Sequence, residues 1–146
     1  MGLVVHDDPK KVISAEGREW GPVTGGLALS IQDAPSFDSE AQPEITAVVI
    51  NRGDKARTLH IPGWLFYFEY EVETAEGARV EPGSFGRQLL APERMTEKLE
   101  IALAPGAHVA TEIPIGSIFG LRARTPYRIR LRAGDLVSNQ VTVGRA

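Results

Sequence analysis

The chain has 146 residues, of which 42% are apolar and 24% charged, with a net charge of −3. This length suits one domain and buries roughly 68–70% of the unfolded surface, enough for a core that needs no staples. The mild acidity argues against nucleic acid or an anionic membrane surface as main partner, and the absence of cysteine excludes disulfides, thiol chemistry and Cys-based zinc sites.

The start of the chain has no basic segment ahead of its short Leu3-Val4-Val5 run, so it does not read as a signal peptide. That leaves open both a cytoplasmic chain and a mature extracytoplasmic domain. No apolar run approaches the ~18–20 residues of a membrane span, so none is expected. Residues 1–19 are polar and mixed and read as an N-terminal arm or edge strand; residues 20–146 read as one β-domain. The 15 glycines and 10 prolines fall between short apolar runs and punctuate turns, as an all-β chain requires.

Taken in order, Trp20 to Gly26 is turn chemistry, and Leu27, Leu29 and Ile31 alternate as a first strand. Residues 44–51 are β-branched and nearly continuously apolar, which predicts a strand covered on one face and partly on the other. Asn51-Arg52-Gly53-Asp54 is a turn; it contains the tripeptide that integrins read, and an ordinary turn is the expectation. Leu59 and Ile61 make a short strand. Residues 64–74 predict the longest strand, with Phe66, Phe68, Tyr70 and Val72 inward and Leu65, Tyr67, Glu69, Glu71 and Glu73 outward. Tyr67, with Trp64 nearby, is then the exposed-aromatic candidate. Residues 75–78 form a hairpin turn and Arg79-Val80 returns briefly.

Residues 82–95 are the least regular stretch. A loop this long in a compact domain is often functional, and this one carries Phe85, Arg87, Leu89, Leu90 and Met95 as anchors for a protein partner. The competing expectation is that its apolar side chains fold back to cap the sandwich. Leu99, Ile101 and Leu103 alternate again, Ala104-Pro105-Gly106-Ala107 fits a type II turn, and residues 109–115 form a further strand. A short helical turn is expected within 116–124. Tyr127, Ile129 and Leu131 alternate with Arg128, Arg130 and Arg132, and Val137, Val141 and Val143 complete a closing hairpin. The total is about eight or nine strands.

Catalytic and metal chemistry find little support. His6, His60 and His108 are the only histidines, and no two stand at ligand spacing. Gly83-Ser84-Phe85-Gly86 and residues 116–120 both miss the nucleophile elbow and read as plain turns. The glycines between 21 and 26 lack the Lys-Ser/Thr that holds phosphate. Glu69, Glu71 and Glu73 read as a solvated strand face rather than a paired-carboxylate cleft. No cofactor and no metal are expected.

The order of elements resembles an immunoglobulin-like sandwich of two antiparallel sheets. Trp64 stands where such domains often keep a core tryptophan, and Tyr127 stands where a tyrosine corner sits. Without the cysteine pair, the chain is similar to bacterial immunoglobulin-like domains of unknown role and, more faintly, to bacterial immunoglobulin-like intracellular proteinase inhibitors. The resemblance implies that the long middle strand pairs with the penultimate one. Glu69, Glu71 and Glu73 would then face Arg128, Arg130 and Arg132 as a cross-strand ladder; the alternative is a free basic stripe for an anionic partner. The expected function is a non-enzymatic interaction or structural module contacting a protein through the 82–95 loop. A proteinase inhibitor is the first alternative, and a small hydrolase or metal-binding protein the second.

Overall fold

The computed structural model describes residues 4–6, 15–34, 41–91 and 99–144. Its strands are β1 (Val4–His6), β2 (Leu27–Ala34), β3 (Glu44–Asn51), β4 (Arg57–Ile61), β5 (Glu69–Thr74), β6 (Leu99–Leu103), β7 (His108–Ile113), β8 (Tyr127–Ala133), β9 (Leu136–Val137) and β10 (Val141–Val143). Short helices α1 (Trp64–Tyr67), α2 (Ser84–Leu89) and α3 (Ile115–Phe119) lie between them. One sheet has the order β1-β7-β3-β2, a second runs β10-β8-β5 with β9 also on β8, and β4 and β6 form a ribbon. Among the described strand pairs only β1–β7 is parallel, and a single parallel bridge joins Leu29 to Ser138. The fold is thus the expected all-β sandwich.

Period-2 alternation builds the core. Leu29, Ile31, Ile45, Ala47, Val49, Val109 and Ile113 point inward from the first sheet, and Val72, Tyr127, Ile129, Leu131 and Val143 meet them from the second. Leu59, Ile61, Ile101 and Leu103 of the ribbon join the same cluster. β3 is buried on both faces, as its nearly continuous apolar run predicts. On its outer side Ala28, Ser30, Val48, Ile50 and Ala110 are buried as well. Arg18 lies over this outer layer. It donates from Nε to Ser30 Oγ (2.9 Å) and from one terminal nitrogen to the Thr46 carbonyl and hydroxyl (3.0 Å each). Burial pulls its guanidinium pKa below the ordinary value.

The Glu/Arg register is as expected: Glu69, Glu71 and Glu73 stand opposite Arg132, Arg130 and Arg128. The ion pairs are not all straight across. Arg128 meets Glu73 at 3.3 Å, but Arg132 reaches diagonally to Glu71 at 2.6 Å. Arg130 turns the other way and donates to Gln140 Oε1 (3.4 Å). The tyrosine-corner contact is present too, with the Arg122 N–H donating to the Tyr127 hydroxyl at 3.3 Å. In the 104–107 turn, Gly106 has φ 83° and the Ala107 N–H donates to the Ala104 carbonyl, as a type II turn requires.

Three local expectations are corrected. Residues 64–67 are not the start of a long strand. The Phe66 and Tyr67 N–H groups both donate to the Gly63 carbonyl (3.1 Å), winding one helical turn before β5 begins. That turn breaks the period-2 face assignment, so Phe66 is only half-buried and stands outside the core cluster. The 82–95 stretch is not an irregular loop where it is described, because Ser84–Leu89 is helical. The two Gly-Ser stretches read as plain turns lie largely within α2 and α3.

Candidate functional site

The α2 face comes first. Gly83 N–H donates to the Ile118 carbonyl (3.1 Å), and Gly86 packs so tightly against that carbonyl that a Cβ there would overlap it. The helix is therefore clamped to α3 through backbone. Leu89 and Leu90 turn inward and pack on the core, which is the capping arrangement. Phe85 does the opposite: 56% of it is exposed, and Arg87 and Gln88 are exposed beside it. Arg87 donates to the Pro82 carbonyl at 3.2 Å. The two expectations for this segment divide by residue, leucines capping and Phe85 presented. Met95 lies outside the described residues.

Trp64 and Tyr67 do not form a solvent-facing pair. Trp64 stacks on Phe68 (centroids 6.1 Å, planes 19° apart), and Tyr67 meets both edge-on at 5.8 and 5.0 Å. Both are half-buried against the core, and burial raises the Tyr67 phenol pKa.

A second feature lies beside α2, at residues that the sequence pattern places on a strand and its short return but does not single out as a site. β5 is the end strand of its sheet. It turns the backbone groups of Tyr70, Val72 and Thr74 away from β8. The Thr74 N–H donates to the Ala78 carbonyl, and the Val72 carbonyl accepts from the Val80 N–H, both at 2.8 Å. Glu73 pairs with Arg79 in this short return. Counting on, Glu81 would stand opposite Glu71 and Pro82 opposite Tyr70. Neither pairing is favourable: two carboxylates would face each other, and proline has no N–H to offer the Tyr70 carbonyl. The chain instead leaves β5 and is tied at Gly83 to α3.

The two segments diverge and leave a groove of about 380 Å³ between Glu69–Glu71 and Glu81–Pro82, with Tyr70 and Phe119 among its walls. Among the described residues no backbone group meets the outward N–H and C=O of Tyr70. Its side chain is held: the hydroxyl donates to the Leu65 carbonyl (2.7 Å), and the ring lies edge-on to Phe119 at 5.8 Å. Burial pushes this phenol pKa well above the ordinary tyrosine value. Pro82 in a returning strand is the sequence signal that marks this gap once the turn at Glu76-Gly77 is located.

His60 is exposed and pairs across the ribbon with Glu100 at 3.5 Å. Among the described residues no group of three or more His, Asp and Glu side chains is placed to hold a metal ion, and no helix is long and apolar enough to cross a membrane. Compared with family models and with curated proteins, the chain matches none.

Proposed function

We propose that this chain is a non-enzymatic protein-interaction module that meets its partner through the exposed face of α2, with Phe85 as the apolar anchor and Arg87 beside it. The observation that carries this reading is Phe85 itself, a large aromatic side chain 56% exposed on a helix fixed to α3 by backbone contacts at Gly83 and Gly86. An anchor presented on a rigid element loses little conformational entropy on binding. The proteinase-inhibitor alternative gains no support here. Residues 84–89 are wound into a helix and do not present an extended segment of the kind a protease cleft accepts.

The test is affinity capture from the source cell with the intact chain and with a Phe85→Ser/Arg87→Glu variant. Both side chains are exposed, so the variant should keep the parent's thermal transition. A partner held by the first and lost by the second supports the α2 contact. Identical profiles from two folded baits would sink it, and a captured protease whose activity falls at stoichiometric ratio would return the inhibitor reading to first place.

A further inference from the structure

We infer that the open edge of β5 at Tyr70 is a docking site for an extended, basic peptide segment of a protein partner, which adds to the sheet as a short strand. This inference does not rest on the α2 contact. Its first support is backbone chemistry. Among the described residues the Tyr70 N–H and C=O at the edge of β5 meet no backbone partner, and such edges recruit extended chain. The gap is specified by residues: Pro82 lacks the donor that would close it, Glu81 would oppose Glu71 if pairing continued, and the Gly83–Ile118 hydrogen bond ties the return segment to α3. The floor is rigid, since the Tyr70 hydroxyl and ring are both held.

Charge decides the occupant. Three carboxylates (Glu69, Glu71 and Glu81) line the groove against one cation within it, Arg79, which meets Glu81 at 3.0 Å, while Arg132 on the neighbouring strand pairs with Glu71 at 2.6 Å, so the excess negative charge centres on Glu69. Lysine or arginine side chains on the outward face of an added strand would lie beside Glu69 and Glu81. An apolar side chain on its inward face would meet Tyr70 and Phe119. A second copy of this chain is disfavoured, because pairing two β5 edges would bring Glu69 and Glu71 against their own counterparts. An acidic segment is disfavoured for the same reason.

The probe is the acetylated, amidated heptapeptide Thr-Lys-Val-Lys-Val-Lys-Thr, compared with its counterpart carrying Glu for every Lys. Binding is read from backbone amide shifts of the full chain and from hydrogen exchange at Tyr70. The expected result is saturable shifts confined to residues 69–72 and 79–83, with slower Tyr70 exchange, for the basic peptide alone. Glu69→Lys with Glu81→Lys should weaken binding about tenfold, N-methylation of both valines should abolish it, and Phe85→Ala should change it by less than about twofold. Three outcomes overturn the inference: no shift up to about 5 mM peptide, a Kd near the bottom of measurable affinities; equal binding of the acidic peptide; or shifts at residues 69–72 that depend on protein concentration without peptide, which would make the occupant a second copy.

Discussion

The two sheets each end in a strand whose backbone needs an answer, and the chain answers differently at β2 and at β5. On the outer edge of β2 the Leu27 N–H and C=O close onto Thr24 at 3.0 and 2.8 Å, and the Leu29 carbonyl accepts from the Gly21 N–H at 3.0 Å. The Ile31 N–H and C=O are both taken by the Asn139 carboxamide, at 2.8 and 2.9 Å. A side-chain amide has the same donor and acceptor as a peptide unit, so Asn139 acts as one residue of a missing neighbour strand. It reaches β2 because β9 and β10 carry one extra residue against β8: Arg132 pairs with Val137, whereas Ile129 pairs with Val141. This bulge takes Asn139 out of the ladder and joins the two sheets along that side. Among the described residues, the same kind of edge on β5 is covered only at Val72 and Thr74. One edge is closed by side chain and turn, and the other is left without a backbone partner at Tyr70 among the described residues, where Pro82 interrupts the return.

The sealed side breaks most easily at Gly21, where a Cβ would overlap the Val137 carbonyl oxygen. Gly21→Ala should cost about 3 kcal/mol of unfolding free energy, because backbone cannot yield as a side chain tip does. Chemical denaturation checks this, and a loss below about 1 kcal/mol would show that the close approach is slack. Asn139→Ala should cost about 2 kcal/mol by stripping both groups of Ile31. Faster amide exchange at Ile31 should accompany the loss, and unchanged exchange would mean that the carboxamide is not what protects this edge.

The open side is sharpened by closing it. Glu81→Lys with Pro82→Val restores an N–H opposite Tyr70 and places opposite charges across the strands. A gain of about 0.5–1 kcal/mol is expected, with a protected amide at residue 82 and loss of peptide binding. A double variant that stays unprotected at residue 82 would show that the Gly83–Ile118 tie alone holds the groove open. The smallest effect belongs to the surface ladder. Exchanging Glu71→Arg with Arg132→Glu should recover about 0.5 kcal/mol relative to the sum of the single changes, both side chains being part-exposed. Coupling with Arg130 in place of Arg132 would favour straight-across pairing over the diagonal.

What was legible in the residues was local in kind. The closing hairpin, the 104–107 turn and the doubly buried β3 follow from apolar patterning and turn chemistry within a few residues of one another, whereas the Glu/Arg register joins strands far apart in the chain and follows only from the resemblance. Residues 64–67 misled because Trp-Leu-Phe-Tyr followed by alternating residues satisfies a strand pattern. Only the turn at Gly63 and the packing of Trp64 on Phe68 select a helical turn there. In the 82–95 stretch the composition announced a presented apolar segment but not which side chains face out. That division is made by α3, whose Ile118 carbonyl accepts from Gly83 and leaves no space for a side chain at Gly86.

By itself the sequence determined that this is an all-β sandwich, where its main strands run and which faces they bury, because strand period and turn type depend on neighbouring residues. Tertiary structure decided which edges are closed. Asn139 and Ile31 are 108 positions apart, and the groove at Tyr70 lies where the return segment reaches Pro82, which has no N–H for the Tyr70 carbonyl, and Gly83 bonds instead to a helix far along the chain. Such choices rest on contacts between segments that no local pattern encodes, and they are the ones that place both candidate binding surfaces.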